Sequence, residues 1–234
     1  MIFGQTDPVE GAGQDFCHVF WGERGIREEI RILDTLHKTS PTKLLVVGAS
    51  TGGPKALEIV FRDFPALSGV TCLIVQHMPI GFTRRFANRL NDVSQWRIEE
   101  AIHGSQLQSS TALVIPAGKH GLFRADGPDW YVDLTDGDLV HFQRPAVDLL
   151  MQSIPADILP HTVGCLLTGM GKDGARGMLS IREGGGWTIA ESAETCTVYG
   201  MPRAAVELKA VCELLAVQEI PPALTRRLAP RDKF

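Results

Sequence analysis

A serine stands at a sharp turn directly after an apolar run. Gly48, Ser50 and Gly52 form the pattern G-x-S-x-G after residues 44–47. This spacing lets a strand turn tightly into a helix and presents the serine hydroxyl at the edge of a sheet. Pro54 suits the first turn of that helix, whose N-terminal amides would point at a bound group. The pattern fits a nucleophile for acyl transfer, but a phosphate cradle or a purely structural turn fits the same glycines.

Two nucleotide-binding motifs begin with a similar turn, and both are incomplete here. The Walker pattern ends in Gly-Lys-Ser/Thr, whereas this chain has Gly53-Pro54-Lys55. The dinucleotide fingerprint G-x-G-x-x-G needs a glycine where this chain has Ser50. The sequence therefore argues against a nucleotide site.

A histidine and an aspartate follow two other apolar runs. His77 comes directly after one predicted strand, and Asp173 lies in a glycine-rich turn after another. Because ligands bind beyond the carboxyl ends of parallel strands, we expect both groups near Ser50. Histidine can take the proton of a serine, and a carboxylate can orient the imidazole. Asp148 competes for the third position, and each group taken alone also fits a structural role.

The elements that position these groups alternate along the chain from Lys43 onward. The pattern predicts strands at 44–48, 70–76, 111–115, 162–168 and 186–190, and helices at 54–62, 81–91, 145–153, 174–184 and 202–208. Residues 119–143 interrupt the alternation with turn residues around short apolar runs, which predicts an antiparallel hairpin. The expected fold class is α/β: a doubly wound, mainly parallel sheet with an antiparallel hairpin excursion.

The first part of the chain differs from the rest. Ile26, Ile30, Leu33 and Leu36 recur at helical spacing in a charged stretch that ends at a Ser-Pro breaker. We therefore divide the chain into an N-terminal arm with an amphipathic helix, residues 1–41, and one α/β domain, residues 42–234.

Composition excludes several classes of protein. A formal net charge of −4 gives no reason to expect nucleic acid or an anionic membrane as a partner. The N-terminus lacks a secretory signal and no apolar stretch suits membrane insertion, so we expect a cytoplasmic protein. We also expect a monomer. The five cysteines form no C-x-x-C and the seven histidines show no paired spacing, so we expect neither a metal nor a cofactor.

Several motifs together resemble a known family. They are Gly-Ala-Ser-Thr-Gly-Gly-Pro at 48–54, Gln-His-Met-Pro at 76–79 and Leu-Thr-Gly-Met-Gly-Lys-Asp-Gly at 167–174, with shorter matches at 116–118, 144–148, 188–190 and 199–202. In this order they resemble the catalytic domain of the bacterial chemotaxis protein-glutamate methylesterases of the CheB type. The likeness runs from about residue 43 to about residue 211.

The resemblance implies hydrolysis of glutamyl methyl esters on the cytoplasmic domains of methyl-accepting chemotaxis receptors, with release of methanol. It also implies deamidation of receptor glutamines in some members. Carried over by position, Ser50 is the nucleophile, His77 the base and Asp173 the orienting acid. Thr51 and Met170 match positions that line the active site, and the Met170 amide matches an oxyanion donor.

The chain departs from the family pattern in three places. Well-known members carry an N-terminal receiver domain that is phosphorylated, whereas residues 1–41 are too short for a domain, so we do not expect regulation by phosphorylation within this chain. Ala146 replaces a usual serine and Glu191 a frequent glutamine.

Two other functions compete with the methylesterase: a catalytically silent adaptor that binds the receptor, and an esterase or amidase with another substrate.

Overall fold

Parallel strands form the central sheet of the protein, whose computed structural model describes residues 40–229. Within these residues the sheet has seven strands: β1 (Lys43–Ala49), β2 (Val70–Gln76), β3 (Arg97–Glu100), β5 (Thr111–Val114), β8 (Thr162–Leu166), β9 (Trp187–Glu191) and β10 (Glu213–Leu215). Their order is β10-β9-β8-β1-β2-β5-β3, and every neighbouring pair is parallel. β1 therefore lies in the middle, between the strands that precede His77 and Asp173.

Helices cover both faces of this sheet. They are α1 (Gly53–Asp63), α2 (Thr83–Val93), α3 (Val147–Gln152), α4 (Ala175–Glu183), α5 (Met201–Glu207) and α6 (Ile220–Leu228). Successive strand side chains point to opposite faces, so β1 sends Leu45 and Val47 into one core with α1, α2 and α6. Leu44 and Val46 enter the other core with α3, α4 and α5. Burial on both faces explains why the central strands are continuous apolar runs rather than alternating ones.

A small antiparallel sheet completes the second core. It consists of β4 (Ser105–Gln106), β6 (His120–Asp126) and β7 (Asp129–Thr135) in the order β4-β7-β6. Phe123 of β6 and Trp130 of β7 pack edge to face, with ring centroids 5.6 Å apart, in the core that also holds α3. The predicted hairpin within 119–143 is confirmed by β6 and β7, whereas the short β4 was not predicted.

The predicted fold class is confirmed, and each predicted strand and helix is present with its bounds moved by no more than two residues. The prediction missed β3, β10 and α6. β3 is an edge strand in which Ile98 is the buried residue among charged ones, so it shows no apolar run. β10 has three residues at the opposite edge. α6 carries two prolines in its first turn, where proline is tolerated although it usually indicates a break.

The predicted amphipathic helix of the arm lies outside the described residues, so the division into residues 1–41 and 42–234 stays a prediction. Among the helices between residues 40 and 229, none is long and apolar enough to cross a membrane.

Candidate active site

The carboxyl ends of β1, β2 and β8 meet at one edge of the sheet. Ala49 lies beside Gln76, and Gly48 lies beside Leu166. Ser50 and His77 are the next residues after β1 and β2, and the His77 amide donates a hydrogen bond of 3.0 Å to the Ala49 carbonyl. Parallel pairing thus brings the serine and the histidine together although they are far apart in sequence.

Glycines permit the tight packing around Ser50. Gly52 has a φ of 83° at the N-cap of α1, in the left-handed region that suits glycine. A Cβ at Gly52 would lie 2.3 Å from the Thr197 hydroxyl oxygen, and a Cβ at Gly169 would lie 2.8 Å from the Ser50 Cβ. The loop after β8 can therefore approach the serine closely.

The backbone of Ser50 is fixed from three sides while its hydroxyl is not. Its amide donates to the Thr168 carbonyl at 3.0 Å, and its carbonyl accepts from the Gly53 amide at 2.8 Å. The same carbonyl accepts from the Gln76 side-chain amide at 2.9 Å. Ser50 is half-buried, and within residues 40–229 its hydroxyl makes no hydrogen bond. The backbone that carries the hydroxyl is therefore held in place, and the hydroxyl is left open to a reacting group.

His77 and Asp173 form a buried pair at this edge. The distance from His77 Nε2 to Asp173 Oδ2 is 2.9 Å, and the two side chains are 5% and 2% exposed. Because Nε2 donates to the carboxylate, the ring presents Nδ1 as its free nitrogen. That nitrogen is the one available to accept a proton.

The start of α3 holds the Asp173 carboxylate. The Val147 amide donates to Oδ2 at 2.8 Å, and the Asp148 amide donates to Oδ1 at 2.9 Å. Burial raises the pKa of the Asp173 carboxyl, but the hydrogen bonds from His77 and from these two amides outweigh it, so the pKa lies below its ordinary value. Asp173 is therefore held as a carboxylate, the form that orients an imidazole.

Asp148, the competitor for the third position, contacts a different histidine. Its Oδ2 lies 2.9 Å from Nε2 of His141, and its Oδ1 accepts a hydrogen bond of 2.8 Å from the Gly177 amide. The structure thus pairs Asp173, and not Asp148, with His77. It also shows a second histidine–aspartate pair that sequence reasoning did not find.

Thr51 and Met170 lie beside these groups at the surface. The Thr51 carbonyl accepts a hydrogen bond of 2.9 Å from the Thr168 hydroxyl. Met170 is 76% exposed. It follows Gly169, whose carbonyl accepts from the Met201 amide at 2.8 Å. Among the described residues the Met170 amide has no hydrogen-bond acceptor, which leaves it free to donate to a substrate oxygen.

Two buried polar residues support the site, and the sequence analysis assigned this role to neither of them. The Gln76 side-chain amide donates to the carbonyls of both Ser50 and His77, at 2.9 Å each. Glu191 accepts from the Thr168 amide at 2.8 Å, and burial raises the pKa of its carboxyl although hydrogen bonds oppose the change. Each is a polar residue at the end of an apolar strand, and that position was the available signal.

Three groups at this edge are close enough to share a metal ion. Ligand atoms of His141, Asp148 and Asp173 lie within 4.8 Å of one another. However, each carboxylate oxygen already accepts a hydrogen bond from an N–H group of the protein. The arrangement is thus accounted for by hydrogen bonding.

This chain is similar in sequence to a known family of proteins. The sequence model of the family described as CheB methylesterase matches residues 45–224. A protein-glutamate methylesterase/protein-glutamine glutaminase of Symbiobacterium thermophilum is 45% identical over 202 residues, which cover 86% of this chain and 54% of that protein. The Escherichia coli K12 protein of the same description is 41% identical over 181 residues, which cover 77% and 52%.

A solved structure matches as well. The crystal structure of the Thermotoga maritima CheB methylesterase catalytic domain superposes with a TM-score of 0.77 at 34% identity, covering 80% of this chain and 99% of that one. The protein is thus a doubly wound α/β protein with a serine, a histidine and an aspartate at the carboxyl edge of its sheet. The chain belongs to the CheB methylesterase family. It spans about half the length of the curated relatives it matches.

Proposed function

We propose that this protein is a serine-dependent protein-glutamate methylesterase. Its substrates are glutamyl methyl esters on the cytoplasmic domains of methyl-accepting chemotaxis receptors, and its place of action is the cytoplasm. The observation that carries the proposal is the buried His77–Asp173 pair, 2.9 Å apart, at the same sheet edge as the open Ser50 hydroxyl. Family membership supplies the substrate class.

The first half of the reaction transfers the glutamyl group to the enzyme. Ser50 Oγ attacks the ester carbonyl carbon while His77 Nδ1 takes the hydroxyl proton. Asp173 stabilises the imidazolium that forms. The Met170 amide donates to the oxyanion of the tetrahedral intermediate, where charge develops. When the carbon–oxygen bond to the methoxy group breaks, His77 returns its proton and methanol leaves.

The second half releases the product by the same groups in reverse order. A water molecule gives a proton to His77 and attacks the acyl carbon. The second tetrahedral intermediate collapses with cleavage of the bond to Ser50 Oγ, which regains the proton from His77. The receptor then carries a free glutamate, and the enzyme returns to its starting state.

The surface around the site suits a protein substrate. Ile80 and Phe82, which follow His77, are 75% and 56% exposed, and Met170 is 76% exposed. Exposed apolar side chains near polar groups are typical of surfaces that contact other proteins. A receptor helix that carries the methyl ester can therefore pack against this surface.

The same acyl-enzyme also supports deamidation of receptor glutamines. Attack of Ser50 on a side-chain amide would release ammonia instead of methanol, and the second half would be unchanged. The relatives that share 45% and 41% identity with this chain carry both activities in their descriptions. Mass spectrometry of a receptor fragment that contains the glutamine, with and without enzyme, measures this conversion.

Methanol release from methylated receptor fragments tests the proposal. We expect the Ser50→Ala substitution to lower kcat by at least about 10³-fold. The matched control is Ser68→Ala, which changes an exposed serine away from the sheet edge and should leave kcat unchanged. Equal rates for the wild type and Ser50→Ala would overturn the mechanism. Receptor binding without turnover by the wild type would favour an adaptor, and turnover only of unrelated esters would favour another substrate.

A further inference from the structure

A second histidine–aspartate pair lies directly behind the first. His141 Nε2 and Asp148 Oδ2 are 2.9 Å apart, with side chains 25% and 5% exposed. Asp148 is also the residue whose amide donates to Oδ1 of Asp173 at 2.9 Å. The two pairs are therefore joined through a single residue.

Asp148 connects three segments that surround the catalytic carboxylate. It belongs to the first turn of α3, its Oδ1 accepts from the Gly177 amide in α4, and its Oδ2 accepts from His141 in the preceding loop. Asp173 lies just before α4 and is bound by the first amides of α3. A shift of the α3 backbone at Asp148 would therefore move an amide that holds Asp173.

The loop before α3 holds His141 in an unusual conformation. His141 and Phe142 have φ values of 52° and 60°, which residues other than glycine rarely adopt. Two backbone hydrogen bonds between Val140 and Gln143 close this turn, at 3.1 and 2.9 Å. Such conformations persist where the surrounding contacts hold them, and they cluster at functional sites. Here the turn directs the imidazole onto Asp148.

We propose that His141 is a positioning residue for the reaction: through its hydrogen bond to Asp148 it fixes the α3 amides that hold Asp173 against His77. This inference rests on the proposed function of the same site. The hydrogen bond of His141 is to Asp148, and its ring lies within 4.8 Å of the Asp173 carboxylate.

The hydrogen bond of His141, rather than its charge, performs this role. Asp148, Lys172, Arg176 and Glu207 line a cavity of about 240 Å³ beside the ring. Two cationic side chains thus already border the cavity that His141 and Asp148 share. A neutral donor with the reach of Nε2 should therefore serve as well as the imidazole.

The rate at which a serine-directed fluorophosphonate modifies Ser50 tests this inference, because it needs no receptor. We expect His141→Ala to lower the maximal rate at saturating reagent about tenfold, without changing the concentration that gives half of that rate, because displaced catalytic groups lower reactivity rather than binding. His141→Gln keeps an N–H donor at the position of Nε2 and should react at close to the wild-type rate. His141→Asn, whose side chain is too short to reach Asp148, should be as slow as His141→Ala.

The matched control is His103→Ala, which removes an exposed histidine bonded to the Leu134 backbone in the small sheet. It should react like the wild type. If thermal unfolding shows that His141→Ala does not fold, the comparison of His141→Asn with His141→Gln tests the inference instead. A wild-type rate for the Ala and Asn variants, or a Gln variant as slow as they are, would overturn the inference. If the wild-type Ser50 itself is not modified, the proposed function fails instead.

Discussion

The two histidine–aspartate pairs have the same hydrogen-bond distance but different surroundings. In both, Nε2 lies 2.9 Å from a carboxylate oxygen. The His77 side chain is 5% exposed and follows the strand beside Ser50, whereas His141 is 25% exposed and borders a surface cavity. The comparison teaches that the pair alone does not define a catalytic base. Only His77 follows a strand that pairs with the strand before Ser50, and it is therefore the histidine that we propose as the base.

The largest expected difference between the pairs concerns their aspartates. Asp173→Asn should lower kcat for methanol release about 10⁴-fold, because the amide no longer holds His77 in the tautomer that accepts a proton at Nδ1. Asp126→Asn, at an exposed position of β6, is the control and should have no effect. If Asp173→Asn lowered kcat by less than tenfold, the His77–Asp173 pair would not differ in function from the His141–Asp148 pair.

A second test concerns the Gln76 side-chain amide, which joins the backbones of Ser50 and His77. Gln76→Met removes the donor to the Ser50 and His77 carbonyls inside the protein. We expect a loss of about 1–3 kcal/mol in the free energy of unfolding, measured with urea. The lower end is favoured because the change also removes Oε1, which has no partner among the described residues. The exposed Gln95→Met serves as control, and equal stability of the two variants would contradict the role of Gln76.

The His141–Asp148 pair should tolerate the substitution of asparagine for its aspartate, which in the His77–Asp173 pair should inactivate the protein. Asp148→Asn keeps an oxygen that can accept from the Gly177 amide, and it leaves the backbone amide that binds Asp173 in place. We therefore expect kcat for methanol release to fall by about tenfold at most. A loss as large as that of Asp173→Asn would mean that both pairs belong to the catalytic group.

The smallest expected effect is on the pH dependence of stability. Asp173 has a lowered pKa in the folded protein, so its stabilising contribution is present above the ordinary pKa of an aspartate, about 3.9, and is lost as the pH falls through the lower folded value. The stability of the wild type relative to Asp173→Asn should therefore decrease on acidification.

The pKa of Glu191 is shifted in the opposite direction to that of Asp173, so its effect on stability has the opposite dependence on pH. Burial raises the pKa of its carboxyl, so the folded state takes up a proton more readily than the unfolded state. The wild type should then gain stability relative to Glu191→Gln as the pH falls. Chemical denaturation at a series of pH values measures both, and parallel curves for the two variants would contradict the assignment of the two pKa directions.

The sequence predicted the centre of the fold better than its edges. β1 and β2 are apolar on both faces because both faces are buried, and such runs are easy to recognise. The edge strand β3 offers Ile98 alone to the core, and β10 has three residues, so neither has a pattern of its own. Their pairing is decided by the neighbouring strands β5 and β9 rather than by a pattern of their own.

The same limit applies to the site. Strand-end reasoning placed Ser50, His77 and Asp173 at one edge, because parallel topology fixes that edge. It left Asp148 as a competitor, since only the packing of α3 against α4 decides which carboxylate reaches His77. The contact of His141 with Asp148 could not be predicted, because it depends on a left-handed turn that no residue in the loop indicates.

Mapping the serine that reacts covalently tests the central claim most directly. After brief treatment with a fluorophosphonate, peptide mass spectrometry should locate the adduct on Ser50. The adduct should be lost in His77→Ala and retained, though formed more slowly, in His141→Ala. An adduct on another serine, or one on Ser50 that forms as fast without His77 as with it, would contradict the account.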